Sequence, residues 1–110
     1  MKYKKITAII QTIALGEVKK RLKEIGVKGM SAFNVMDYGE HAAPYTFDPD
    51  KMIQHVKIEL WAREGEVDQI VNAIIDAAHT GMPGDGMVAV LPVERVWRIC
   101  TKREAAEDEI

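Results

Sequence analysis

The chain has 110 residues, 47% of them hydrophobic and 29% charged, with 15 Lys and Arg against 17 Asp and Glu and a net charge of −2. That is one globular domain, large enough to bury a core without staples, and its charge balance excludes the basic footprint of a nucleic-acid binder. The lone cysteine, Cys100, excludes an internal disulfide, no apolar stretch approaches membrane-spanning length, and Gln11 and Thr12 break the N-terminal apolar run with no cleavage pattern after it, so the expected location is the cytoplasm, without membrane insertion.

Lys5 to Thr12 reads as a strand, with Ile6, Ala8 and Ile10 on one face and Ile9 on the other. Glu17 to Ile25 reads as a helix: Val18, Leu22 and Ile25 fall at i, i+4 and i+7, and Gly26 follows as a stop. The basic run Lys19-Lys20-Arg21 with Lys23 is the solvated face of that helix. Met30 to Tyr38 reads as a second strand. Gln54 to Ala62 is the clearest strand, with Val56, Ile58, Leu60 and Ala62 predicted buried and His55, Lys57, Glu59 and Trp61 on the polar face. Val67 to His79 carries a wide apolar stripe and reads as the second helix. Met87 to Leu91 is a fourth strand that Pro92 interrupts. Val93, Val96, Trp97 and Ile99 continue as an apolar segment, and the acidic tail from Arg103 to Ile110 is expected to be mobile.

Two connections stand out. Gly39 to Ile53 is fifteen residues without periodicity, holding Pro44, Pro49, Tyr45 and Phe47. A loop of that length in a small domain is usually functional or disordered, and a partner-binding finger competes with a tether to the domain's own surface. Thr80-Gly81-Met82-Pro83-Gly84-Asp85-Gly86 sits between a helix and a strand, and such a loop can turn backbone N–H groups toward an anion. A helix C-cap at Gly81 followed by an ordinary turn explains the same residues. The element order is β-α-β twice, the signature of a ferredoxin-like α+β fold: an antiparallel four-stranded sheet with two helices on one face. Ile9, Phe33, Trp61 and Val90 are candidates for a second apolar sheet face, which implies oligomerisation.

In Lys5-Ile6-Thr7-Ala8-Ile9-Ile10, in Leu15-Gly16-Glu17-Val18 with Gly26 and Gly29-Met30, in Val56-Lys57-Ile58-Glu59, in Thr80-Gly81 with Gly84-Asp85-Gly86, and in Val93-Glu94-Arg95-Val96 with Arg98-Ile99, the chain resembles the PII signal-transduction (nitrogen-regulatory) family. The resemblance covers nearly the whole chain, 1–110, as a single domain with a T-loop at 39–53, a phosphate loop at 80–86 and a tail at 101–110. It implies a homotrimer without catalytic residues or a resident cofactor, binding an adenine nucleotide in each inter-subunit cleft. The T-loop would then engage a transporter or metabolic enzyme in nitrogen or carbon metabolism. Carried over by position, Gly84, Asp85 and Gly86 would contact ribose and phosphates, with Thr80 opening that loop. Gly29, Met30 and Ser31 would meet the adenine, beside Trp61. Arg98 matches the first of two phosphate-binding arginines, and Ile9, Asp37, Tyr38 and Met87 complete the nucleotide set. Glu40, His41, Tyr45 and Phe47 would belong to the partner loop.

The departures from the family pattern are cationic. Met87 and His55 stand where lysines are usual, Cys100 replaces the second arginine, and the family's Gly-Phe-Gly-Arg-Gln run becomes Asp37-Tyr38-Gly39-Glu40-His41. Each lost charge-assisted contact is worth about 1.5–3 kcal/mol, so ADP or AMP is expected over ATP. A small anion near the loop base is the other ligand class, and short-looped relatives in bicarbonate and carbon uptake are a further context. A metal-binding or metal-tolerance trimer of the same architecture is the alternative, resting on His41, Asp48, Asp50 and His55, although no tight ligand spacing is present. No nucleophile has an adjacent base. Cys100 is expected as a packed thiol, His79 as a helix-dipole partner, and Trp97 as a core or interface residue.

Overall fold

The computed structural model describes residues 3–39 and 50–110. Strand β1 (Tyr3–Ile10) leads through a 3-10 turn (Thr12–Ala14) into α1 (Leu15–Glu24), and β2 (Ser31–Asp37) follows. Next among the described residues come β3 (Ile53–Arg63), a second 3-10 turn, α2 (Val67–Ala78) and β4 (Gly86–Val93). A short hairpin, β5 (Trp97–Arg98) with β6 (Arg103–Glu104), closes the chain. The main sheet has the order β2-β3-β1-β4, and all three pairings are antiparallel. This is the expected ferredoxin-like double β-α-β arrangement.

The core lies between one sheet face and the helices. Ile6, Ala8 and Ile10 from β1 meet Val56, Ile58, Leu60 and Ala62 from β3, all buried, under Val18 and Leu22 of α1 and Ile70 and Ile74 of α2. Strand alternation and helical i, i+4 spacing put these residues on facing surfaces. Each fully buried aliphatic side chain contributes about 1.5–3 kcal/mol. The end of α1 is fixed by two backbone bonds: Gly26 N donates to Lys23 O at 3.1 Å and Val27 N to Leu22 O at 3.0 Å. Gly26 takes φ +91°, the left-handed residue that this C-cap requires.

Several expectations change. The first strand is shifted two residues toward the N-terminus and ends before Gln11. Pro92 does not interrupt β4, which continues to Val93. β4 is an edge strand, so a missing donor is tolerated there. Val90 pairs with Ile6 and therefore lies on the helix-covered face. The open face carries Met87, Ala89 and Leu91 from β4 instead, beside Ile9, Phe33 and Trp61. His55 is 4% exposed rather than on a solvated face. Cys100 is exposed, not packed. Trp97 is half exposed, which removes the core alternative and leaves the interface one, with the Arg95 guanidinium 4.4 Å above its ring. The acidic tail is docked: Tyr3 Oη donates to Ala105 O at 2.7 Å, and Ala105 is buried.

Two glycines at positive φ separate backbone need from steric need. At Gly86, φ is +110° and an added Cβ would stand 1.8 Å from the Ile9 carbonyl oxygen of β1. At Gly81, φ is +92° but the nearest atom is His79 Cε1 at 3.9 Å. Gly81→Ala should therefore cost about 1–2 kcal/mol in urea unfolding, the strain of the left-handed region alone. Gly86→Ala should cost about 3 kcal/mol or more, because β1 and β4 must part. Equal costs would show that the close approach of the two strands is not what demands glycine.

Candidate functional site

Where β2 begins and β3 ends, the chain leaves α1 and crosses to the sheet, and a cavity of about 330 Å³ opens. Gly29, Met30 and Ser31, Glu59 and Trp61 of β3, and Arg98 of β5 line it. The C-terminal Glu109 and Ile110 also reach this cavity. A Cβ on Gly29 would meet nothing within 4 Å, so the absent side chain there relieves no clash. Arg63 lines the same space and pairs with Glu66, which raises the arginine's pKa and lowers the carboxyl's. Lys28 Nζ donates to Asp108 O. None of Arg63, Glu66, Lys28 or Glu109 was legible as a wall residue, because each arrives through tertiary packing and carries no local pattern.

The Gly-rich loop lies at the other end and other edge of the sheet. Here the expectation of free N–H groups is corrected in part. Thr80 N and Gly81 N donate to Asp85 Oδ2 at 2.7 and 2.9 Å, and the Thr80 hydroxyl donates to Oδ1. The loop thus closes on its own carboxylate. The Thr80 hydroxyl bond, followed by the backbone bonds, holds the Asp85 carboxyl below its ordinary pKa despite partial burial. Gln11 Nε2 ties the loop to the end of β1 through Gly84 O at 3.1 Å. Asp85, Gly86 and Met87 line a smaller apolar hollow of about 270 Å³ with α2. Met87 is 66% exposed.

The predicted nucleotide residues therefore fall into two groups. Gly29, Met30, Ser31, Trp61 and Arg98 gather around the first cavity. Ile9, Thr80, Gly84, Asp85, Gly86 and Met87 gather at the β4 edge, where Ile9 pairs with Met87. Asp37 and the exposed Tyr38 stand at the end of β2, away from both. Asp37 Oδ2 lies 3.4 Å from His55 Nδ1, a partly buried pair across the base of the loop. The partner-loop residues Glu40, His41, Tyr45 and Phe47 lie outside the described residues, as does Asp48. Among the described residues no group of three or more His, Cys, Asp or Glu is placed to hold a metal, and no helix is long and apolar enough to cross a membrane.

Between the two groups runs the open sheet face. Lys5 Nζ is 2.9 Å from Glu59 Oε2, and Lys57 Nζ is 3.4 Å from Glu59 Oε1. The Lys5 hydrogen bond is the main reason the Glu59 carboxyl sits below its usual range. Lys5 also lies 5.4 Å from the Trp61 ring centre and Lys57 5.6 Å from that of Phe33. The face is thus a central ion triad rimmed by Phe33, Trp61, Ile9, Met87 and Leu91.

Comparison with known proteins agrees with this architecture. The family described as "Nitrogen regulatory protein P-II" matches residues 3–103. A nitrogen regulatory protein P-II of Azospirillum brasilense is 38% identical over 112 residues, covering 94% of this chain and 97% of the relative. One from a Synechocystis strain is 36% identical over 112 residues with the same shares. Among solved structures, Arabidopsis thaliana PII bound to citrate aligns with a TM-score of 0.83 at 32% identity, over 99% of this chain and 92% of that one.

The Asp85 closure can be tested by hydrogen exchange. Asp85→Asn should speed exchange at the Thr80 and Gly81 amides about tenfold at neutral pH. Because the folded carboxyl has a lowered pKa, its contribution is present above the ordinary carboxylate range and is lost as pH falls through the folded value. The same amides in the unaltered protein should therefore lose protection on acidification, relative to their intrinsic rates, while those of the variant change less. Identical protection in both proteins would show that the carboxylate does not close the loop.

Proposed function

The chain belongs to the nitrogen regulatory protein P-II family, and from that premise we propose a homotrimeric regulator, not an enzyme, that takes ADP or AMP before ATP, or a small anion, in clefts between copies. Residues 39–53 would report the ligand to a transporter or metabolic enzyme. One observation carries this reading: two candidate half-sites stand at opposite edges of one sheet, so no single copy can close them on one ligand. A neighbouring copy that sets its β4 edge beside the β2 edge brings them together and covers the open face with its own apolar rim.

The ligand preference follows from the cations. Met87 brings no cation to the loop, and the exposed Cys100 stands in place of the second arginine. His55 is buried against Asp37. Lys5 and Lys57 are engaged by Glu59. Arg98 remains, held only by a long 3.5 Å contact to Glu109, and Arg103 is its register partner in the β5–β6 hairpin. That pair supports one or two phosphates rather than three. The citrate in the Arabidopsis relative supports the small-anion alternative, since citrate is a compact polycarboxylate. Loop signalling requires that the ligand bind one loop state more tightly than the other.

Light scattering should give about three times 12.3 kDa. Calorimetry should rank ADP and AMP above ATP. Met87→Lys should improve ATP by about tenfold and AMP much less, and Arg98→Ala should weaken every nucleotide about tenfold or more. ATP binding more tightly than ADP in the unaltered protein would contradict the charge argument. A strict monomer would remove the shared cleft.

A further inference from the structure

The turn at Glu107–Glu109 reaches the Arg98 cavity, which Glu109 and Ile110 line. Ala105 N donates to Val96 O at 2.9 Å, which anchors the tail beside β5. Residues Glu107–Glu109 then form a 3-10 turn. Ala106 N donates to Glu109 Oε1 at 2.7 Å, so one carboxylate oxygen caps the turn from within. The other, Oε2, lies 3.5 Å from Arg98 Nε. Lys28 fastens the same turn from the α1 side through Asp108 O. Glu109 thus divides its two oxygens between holding the turn and facing the arginine.

We propose that Glu109 is an internal counter-anion for Arg98, and that a ligand phosphate must displace it, loosening residues 106–110. The inference rests on the reading of this cavity as an anion site. Three features carry it. The carboxylate and the guanidinium line the same cavity 3.5 Å apart, so an anion drawn to Arg98 competes with Glu109 for it. Arg98 and Arg103 stand directly opposite each other on β5 and β6, and like charges so placed are unfavourable without a counter-anion. The Arg98–Glu109 contact is long and partly solvated, hence weak enough to exchange. A phosphate can bring two charges to Arg98, whereas Glu109 offers one and has already used one oxygen. The tail therefore sets a threshold that favours dianionic ligands over single carboxylates.

Glu109→Gln isolates the claim, because the amide oxygen can still accept from Ala106 N while the charge is gone. ADP is titrated into the full-length unaltered protein and the variant by calorimetry, and hydrogen exchange is followed at residues 105–110. The variant should bind ADP roughly two- to fivefold more tightly. Saturating ADP should speed exchange at 106–110 in the unaltered protein and leave Ala105 protected. Unchanged or weaker ADP binding by the variant, or a tail equally protected with ADP bound, overturns the proposal while the nucleotide reading stands. If ADP binds neither protein, the nucleotide reading fails, and inorganic pyrophosphate is titrated into the same pair. Tighter pyrophosphate binding by the variant then supports the counter-anion role. Equal binding, or none, overturns it.

Discussion

Strand β1 is hydrogen-bonded along its length to β3 on one side and β4 on the other, and this placement fixes where everything else can go. The two β-α-β units interlock through it, so β2 and β4 become the sheet edges. Both helices must then cover the same face, because both crossovers leave from strands whose buried residues point that way. The opposite face is left with a triad of Lys5, Glu59 and Lys57 and an apolar rim. The edges are separated by three inter-strand steps of about 4.8 Å, roughly 14 Å in all, and the two residue groups also sit at opposite ends of the strands. A site that uses both groups needs a second copy.

How much of this was legible in the sequence depends on how local the signal was. The buried faces of β1 and β3 could be read because alternation is a property of neighbouring residues: Ile6, Ala8 and Ile10, and Val56 to Ala62. Gly26 could be read as a helix stop for the same reason. The face of β4 could not, since Val90 points toward the helices only because it pairs with Ile6, and register is a tertiary fact. Pro92 looked like a break because edge position is invisible in sequence. His55 looked solvated until β2 brought Asp37 beside it. The tail looked mobile by composition, whereas Tyr3, Val96, Lys28 and Arg98 each hold it from a distance in the chain. Gly29 to Ser31, Trp61 and Arg98 were named through family resemblance, and the fold does bring them to one cavity.

The electrostatics of the site share one character. Arg63 faces Glu66, Arg98 faces Glu109, and Lys5 and Lys57 face Glu59. Even the Gly-rich loop has turned the Thr80 and Gly81 amides onto its own Asp85. An incoming anion therefore exchanges partners instead of meeting bare charge, and its affinity is a difference between two sets of contacts.

Subunit complementation shows whether the ligand site is shared between copies of the chain. Arg98→Ala impairs the β2-edge group, and Met87→Glu impairs the β4-edge group. Each variant is first shown to bind ADP poorly alone, and the two are then unfolded, mixed in equal amounts and refolded. A shared site predicts that roughly a quarter of the clefts regain unaltered affinity, because some pair an intact group from each variant. A mixture that binds no better than its two components would contradict it.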